Sequence, residues 1–370
     1  MSDGRVVAFT GGGTGGHIYP GLAIIESLKR DFHGRIVWIG SPKDSDRRAV
    51  EAAGIEYFAV PAGKLRRSFS LQNLADAFRV LAGFVASRRI LKRLRPVLLF
   101  SKGGYVSVPP CRAAASLGIP VFTHESDLSA GLATRLNAKV AERILVSYEE
   151  TKASLGPAFA AKTEVTGNPI RSAIRRGDAS KGRAFLGVPQ GLPVVFFIGG
   201  SQGARQVNDL VLAILPELTK RAFVAHQTGE AGIAEALAAA GGQGRYRPMA
   251  YIRDEMADII AAADLVVGRS GAGGLWEAAA LAKPMVLVPL AGSGTRGDQV
   301  DNARLFEAAG AARVLVGEEA RPDALLVAIL AYLDDGAGRK AAGEAARRLA
   351  GRDGAAEAAR LMLERIGGTQ

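Results

Sequence analysis

Gly11-Gly12-Gly13-Thr14-Gly15-Gly16-His17 follows the apolar run Val6-Val7-Ala8-Phe9 and precedes a helical pattern over residues 18–28, with Pro20 near its start. A buried strand, a glycine turn and a helix N-terminus in that order make an anion site. Glycines allow close backbone approach, and unpaired N–H groups with the positive end of the helix dipole face the ligand. Gly11, Gly13 and Gly16 match the spacing of the G-x-G-x-x-G dinucleotide fingerprint. A nicotinamide site of that type adds an acidic residue after the second strand to hold the ribose. Here Ile36-Val37-Trp38-Ile39-Gly40 is followed by Ser41-Pro42-Lys43, so the expected acid is missing. His17 puts a titratable ring in the first helical turn beside the loop.

The same pattern restarts in the middle of the chain. Val194-Val195-Phe196-Phe197-Ile198 reads as a strand, Gly199-Gly200-Ser201-Gln202-Gly203-Ala204-Arg205 as a glycine turn, and Val207 onward as a helix. Further strand-like runs fall at 57–60, 97–100, 120–123 and 143–146 in the first half, and at 223–225, 249–252, 265–267 and 285–288 in the second. Continuous apolar strands separated by helices predict an α/β protein with parallel sheets covered on both faces. The chain has 370 residues, beyond the roughly 250–300 at which one core stops growing. Two similar halves are therefore expected: residues 1–166, and residues 167–352 opening on a polar, basic connection at 171–183. A final helical stretch, about 353–370, is expected to pack back on the first.

Composition narrows the class. Hydrophobic residues make up 48% and charged residues 22%, the balance of a globular protein. Cys111 is the single cysteine, which rules out an internal disulfide and points to a reducing compartment. No signal-peptide pattern and no apolar run of eighteen residues is present. The formal net charge of +11 calls for an anionic partner: a membrane surface, nucleic acid or a phosphorylated substrate. The segment 71–94 carries Leu71, Leu74, Phe78, Leu81 and Val85 on one helical face, with Lys64, Arg66, Arg67, Arg79, Arg88, Arg89, Lys92, Arg93 and Arg95 around it. Two readings fit: a core-facing helix with a solvated basic side, or a membrane-surface site.

Several familiar chemistries are absent: no Walker loop, no H-E-x-x-H, no cysteine pair, no G-x-S-x-G elbow. Four histidines, at 17, 33, 124 and 226, show no metal spacing, so no metal site is expected. What remains is a series of polar groups at predicted strand ends, where open α/β sheets bind ligands. It comprises 11–17, Ser101-Lys102-Gly103-Gly104-Tyr105, His124-Glu125-Ser126-Asp127, Gly167-Asn168-Pro169-Ile170-Arg171, 199–205, 269–277 and Asp298-Gln299. Each alone reads as turn chemistry; their recurrence in both halves does not.

Together with Gly-Gly-Tyr-Val-Ser at 103–107, Arg-Ser-Gly-Ala at 269–272 and Asp-Gln-Val-Asp-Asn-Ala at 298–303, these motifs resemble the MurG family, peripheral membrane N-acetylglucosaminyltransferases of peptidoglycan synthesis. The resemblance runs from about residue 5 to about residue 316. It implies a GT-B fold, two Rossmann-like domains facing across a cleft. It also implies transfer of N-acetylglucosamine from UDP-N-acetylglucosamine to the muramyl sugar of lipid I, with inversion, giving lipid II. Arg171 and Ser201 would then meet the donor diphosphate, Ile252 would present its backbone to uracil, and Ala272, Gly273, Gly274, Leu275 and Trp276 would line the nucleotide. Glu277 would take the ribose hydroxyls and Gln299 the sugar hydroxyls. Thr14, Gly15 and Gly16 would border the donor sugar. Gly11, Gly12, Gly13 and Gly16, with Gly103 and Gly104, would hold the diphosphate of lipid I. The sequence departs from the family's His-Glu-Gln-Asn: it has His-Glu-Ser-Asp, and an ionised Asp127 accepts hydrogen bonds where Asn also donates.

Inversion needs a base for the acceptor hydroxyl, and His17 and Glu125 are both candidates. The N-terminal position of His17 disfavours its cation and leaves a lone pair. No cofactor is required; a divalent cation could assist at the diphosphate, though no carboxylate pair demands one. The expected partners are UDP-N-acetylglucosamine, lipid I and an anionic membrane surface, with no nucleic acid, at the cytoplasmic face of the cell membrane. Two other classes stay open: a nicotinamide-dependent oxidoreductase, which leaves the second glycine loop unexplained, and a non-catalytic binding protein, which leaves the strand-end cluster idle. Another UDP-sugar-dependent GT-B transferase is the nearest alternative.

Overall fold

The computed structural model describes residues 4–63, 71–200, 203–241, 244–292 and 297–368. The chain divides into two compact units. The first joins residues 1–171 to residues 352–370, and the second spans residues 172–351.

In the first unit, β1 (Val6–Thr10), β2 (Arg35–Gly40), β3 (Glu56–Ala59), β4 (Leu98–Ser101), β5 (Val121–Glu125), β6 (Arg143–Val146) and β7 (Thr163–Val165) form one parallel sheet in the order β3-β2-β1-β4-β5-β6-β7. Side chains alternate across a strand, so β1 feeds two cores at once. Val7 and Phe9 face α1 (Gly15–Leu28) and the C-terminal helix Gly354–Gly367, packing with Trp38, Phe100, Ile24, Leu28, Leu361 and Met362. Val6 and Ala8 face the other way, with Val37, Leu99, Leu91 and Cys111. Burial on both faces is why these strands read as unbroken apolar runs. Between β2 and β3 runs α2 (Asp44–Ala52), and between β3 and β4 runs α3 (Leu71–Leu94).

The stripe on α3 settles between its two readings in part. Phe78 is 66% exposed and Leu81 59%, while Phe84, Ala86, Ile90, Leu91 and Leu94 supply the packing against the sheet. The described part of the stripe, Phe78, Leu81 and Val85, is therefore exposed and does not cover the core. Arg88, Arg89, Lys92 and Arg93 are exposed. Lys64, Arg66 and Arg67 lie outside the described residues, as do the side chains of Leu71 and Leu74.

In the second unit, β8 (Val194–Ile198), β9 (Phe223–Gln227), β10 (Tyr246–Met249), β11 (Leu265–Gly268), β12 (Met285–Leu287) and β13 (Ala312–Val314) form a parallel sheet in the order β10-β9-β8-β11-β12-β13. Val195, Phe197, Val224, Val267 and Val286 pack one face against the helices Arg205–Leu218 and Pro322–Asp334. The strand expected at 249–252 instead ends at Met249, so Ala250, Tyr251 and Ile252 are loop. The stretch 171–183, where the boundary between the units falls, contains helix Ser172–Arg175 and the first part of helix Ala179–Leu186. The second of these packs on helix Met256–Ala262, where a Cβ on Gly182 would lie 2.0 Å from the Asp258 carbonyl oxygen.

Candidate active site

Strand order reverses once in each sheet, and the C-terminal ends of the strands flanking that reversal splay apart to leave a crevice. In the first unit the reversal lies between β1 and β4. The residues 11–17 leave β1 there, and Lys102, Gly103 and Gly104 leave β4 beside them. The two loops touch. Gly104 has φ +77°, and a Cβ on it would lie 2.7 Å from the Gly12 carbonyl oxygen and 3.2 Å from His17 Nε2. Gly13 has φ +89°, and the Tyr105 ring sits where its Cβ would be, at 2.9 Å. Larger residues at either position would force the loops apart. Trp38 Nε1 donates to the Gly11 carbonyl over 3.1 Å, tying the loop to β2.

α1 starts at Gly15 with Thr14 as its N-cap; Thr14 makes no side-chain capping bond, and the first turn contains no acid. The positive end of the helix is thus not neutralised from within. One acid does approach from elsewhere. The buried Asp46 on α2 accepts from the Gly13 N–H at 2.7 Å and from Ser41 Oγ at 2.9 Å. Gly13 therefore already holds an anion of the protein's own, and the N-terminus at Thr14, Gly15 and Gly16 is the part left for another.

His17 is half-buried, and its Nδ1 lies 3.2 Å from the Lys102 carbonyl oxygen. A carbonyl only accepts, so Nδ1 carries the proton and Nε2 the lone pair of the neutral ring. Glu125 has a different environment. One carboxylate oxygen accepts from the N–H groups of Ser126 at 2.9 Å and Asp127 at 3.1 Å. The other accepts from the Gly131 N–H at 3.0 Å and Thr134 Oγ1 at 2.6 Å. Four donors occupy a carboxylate's acceptor sites, so the geometry gives Glu125 the task of fixing the loop from β5 to helix Leu132–Ala138. Asp127, half-buried, sits in that loop. His124 is buried, with Nε2 on the Gly167 carbonyl oxygen at 3.1 Å; burial and the Lys102 charge hold it well below the usual histidine range.

Lys102, named in the sequence only as part of the stretch 101–105, has no role assigned to it there. It is 1% exposed, and Nζ donates to Ser126 Oγ at 2.7 Å, which donates to Asn168 Oδ1 at 2.5 Å. Burial pushes its ammonium down to about 8, against the pull of Glu125 and Asp127. Arg171, the last residue of the first segment, holds its guanidinium 5.6 Å above the Tyr19 ring of α1. By this division Arg171 and Ser201 belong to different units, and Ser201 itself lies outside the described residues.

In the second unit the reversal lies between β8 and β11. The loop after β8 closes on Gly203, whose φ is +77° and whose Cβ would lie 2.2 Å from the Thr228 carbonyl oxygen. Helix Arg205–Leu218 follows, again with no acid in its first turn. After β11, helix Ala272–Ala280 is N-capped by Gly271, and its first internal bond runs from the Leu275 N–H to the Gly271 carbonyl. Helix geometry gives the N–H groups of Ala272, Gly273 and Gly274 no intrahelical acceptor. Leu275 and Trp276, by contrast, are buried, and so cannot line a nucleotide with their side chains. Glu277, one residue on, is half-buried.

Two amides organise the loops around this helix. Gln227 Nε2 donates to the Gly200 carbonyl at 3.1 Å, while its Oε1 accepts from the Ile252 N–H at 3.1 Å. That takes up the Ile252 N–H internally and leaves its carbonyl as the backbone group to offer a ligand. Gln299 Oε1 accepts from the Leu290 N–H, and its carbonyl accepts from the buried Ser270 Oγ at 2.6 Å. Sequence reasoning missed Gln227, whose role exists only because β9 lies beside β8 and β10. Among the described residues no group of three or more His, Cys, Asp or Glu could hold a metal ion.

Comparison with known proteins agrees with this layout. Residues 7–146 match the glycosyltransferase family 28 N-terminal domain and residues 194–359 the family 28 C-terminal domain. A Treponema denticola protein named UDP-N-acetylglucosamine–N-acetylmuramyl-(pentapeptide) pyrophosphoryl-undecaprenol N-acetylglucosamine transferase is 50% identical over 335 residues, 86% of each chain. A protein of the same name from Treponema pallidum is 46% identical over 86% of this chain and 84% of its own. Among solved structures, Acinetobacter baumannii MurG superposes with a TM-score of 0.75 over 97% of this chain and 99% of its own, at 22% identity. Two doubly wound units with glycine loops at both reversals are the domains of a GT-B transferase, and the chain belongs to glycosyltransferase family 28, in its MurG branch.

Proposed function

We propose that the protein transfers N-acetylglucosamine from UDP-N-acetylglucosamine to the muramyl sugar of lipid I, with inversion, forming lipid II for peptidoglycan synthesis. The observation that carries this reading is the identity of 50% over 86% of a relative bearing that activity in its name. The site residues fit the chemistry in the following way.

The second unit takes the donor. The N–H groups at Ala272, Gly273 and Gly274 and the Ile252 carbonyl face the nucleotide, and the Glu277 carboxylate accepts from both ribose hydroxyls. Ser201 and Arg171 are assigned to the diphosphate and to the charge that develops on departing UDP. Gln299 uses its amide N–H groups on the sugar, its Oε1 being engaged by Leu290. The first unit takes the acceptor diphosphate at Gly15, Gly16, Gly103 and Gly104, and Asp127 contributes a sugar contact. His17 Nε2 removes the proton from the acceptor hydroxyl as that oxygen bonds to C1 and the C1–O bond to UDP breaks. The Lys102 carbonyl holds the tautomer this requires. Glu125 acts through the loop it fixes, without touching the reacting atoms.

The acceptor carries a long lipid, so the enzyme works at a bilayer surface on its cytoplasmic side. No described helix is long and apolar enough to cross a membrane. Attachment is therefore assigned to the exposed Phe78, Leu81 and Val85 with the cations of α3.

Two measurements test the reading. Incubation with UDP-N-acetylglucosamine and a short-chain lipid I should yield β-linked disaccharide and one UDP per turnover; no product with folded protein would remove the assignment. Glu277→Ala should weaken UDP binding by about 1.5–3 kcal/mol, the range for hydrogen bonds to a charged group. Unchanged affinity by calorimetry would take Glu277 out of the donor site.

A further inference from the structure

Lys102 is chemically out of place. An ammonium buried to 1% exposure donates to the neutral Ser126 hydroxyl. A buried cation needs a counter-charge, or it reverts to the neutral amine. Two carboxylates supply one, Glu125 and Asp127. Glu125 exerts the larger pull, but its acceptor sites are filled by four other donors, so it acts on the ammonium through its charge and not through a hydrogen bond. Asp127 is half-buried, one residue beyond Ser126, and its carbonyl accepts from Thr151 Oγ1 at 3.3 Å. The other titratable groups around Lys102 are His124, buried and neutral, and His17, bonded to the Lys102 carbonyl.

The same residue also joins three strand ends. Its carbonyl orients His17 from α1, its ammonium grips Ser126 after β5, and Ser126 passes the contact to Asn168 after β7. We propose that Lys102 is a positioning residue of the reaction centre, with Asp127 as its matched counter-charge, so that the ammonium and the carboxylate work only as a pair. This accounts for the departure at 127 from the amide of the family pattern. An amide there would leave the buried ammonium with Glu125 alone, and removing Lys102 would leave both carboxylates without their shared cation.

The proposal rests on the transferase reading for its kinetic arm only. Lys102→Met should lower kcat while leaving UDP affinity at its wild-type value. Adding Asp127→Asn should then recover kcat by roughly tenfold, within the range for coupling between neighbouring charges. Wild-type kcat should fall as pH rises through about 8, as the ammonium is lost, and this limb should vanish in Lys102→Met. A double variant no better than Lys102→Met, or an unchanged alkaline limb, would overturn the pairing. The second arm needs no activity and no substitution of the lysine. With 13C-labelled lysine, one side chain of the wild type should titrate near 8, and Asp127→Asn should move that midpoint lower, because a neutral amide no longer favours the cation. No lysine titrating in that range, or the same midpoint in both proteins, would sink the proposal and leave the assigned function untouched. Absence of transfer by the wild type would do the reverse.

Discussion

Glu125→Gln should unfold the first unit more readily instead of merely stopping the chemistry. The two carboxylate oxygens accept four hydrogen bonds, at 2.6–3.1 Å, in a site where the residue is 6% exposed. A glutamine keeps one oxygen and turns an NH2 toward two donors, so two bonds become donor-against-donor contacts. Each hydrogen bond to a charged group is worth about 1.5–3 kcal/mol, giving a loss of roughly 3–6 kcal/mol before the loop relaxes. The protein supplies its own reporter. It has two tryptophans, Trp38 and Trp276, one in each unit and both buried. In a Trp276→Phe background, Trp38 fluorescence follows the first unit alone. With a urea m-value of about 2 kcal/mol/M, the midpoint should fall by about 1.5–3 M. A midpoint that stays in place while turnover collapses would refute the structural role and restore Glu125 as the base.

Other outcomes follow from the same geometry. His17→Ala should lower single-turnover transfer by about a hundred-fold or more, the effect of losing a general base, with UDP affinity unchanged; near wild-type rates would make His17 a packing residue. Neutralising Arg88, Arg89, Lys92 and Arg93 as glutamines should weaken binding to anionic vesicles by about a thousand-fold at about 1 kcal/mol per charge. Transfer to a soluble short-chain acceptor should survive, and co-sedimentation across a salt series checks both. The buried His226 bonds Tyr246 at 2.9 Å and Asn208 at 3.0 Å, and burial pushes it down to about 4. Below about 6.5 the unfolded chain binds a proton that the folded unit refuses, so stability is full above that pH and falls toward pH 4, by roughly 3 kcal/mol in all. The Trp276 transition should show this slope, and His226→Asn should flatten it.

The doubly wound fold was legible because buried parallel strands announce themselves as apolar runs, and because glycines mark the turns at both reversals. Short edge strands carry no such signal: β7 and β13 have three residues each and were not read. Within the site, position was legible and partnership was not. Nothing local to Glu125 foretells Gly131 and Thr134, and nothing near Gly13 points to Asp46, 33 residues away. Trp276 is the instructive case. Ala272, Leu275, Trp276 and Ala279 fall at i, i+3, i+4 and i+7, the buried stripe of a helix. The periodicity is present in the sequence, overlapping the motif that ends at Glu277.

The return of helix Gly354–Gly367 to the first unit sets an order on biosynthesis. Ala358, Leu361, Met362 and Ile366 form one wall of the core that contains Phe9, Ile24 and Trp38. Arg365 seals it through Glu142 at 2.7 Å, and Arg352 through the Val165 carbonyl. A ribosome delivers residues 172–351 before that wall exists, so the unit that begins later in the chain can close first. Throughout that interval the face of α1 that this helix covers stays bare. A premature stop after residue 351 would strand the nascent protein in that state, with the second unit complete and the first open along one side.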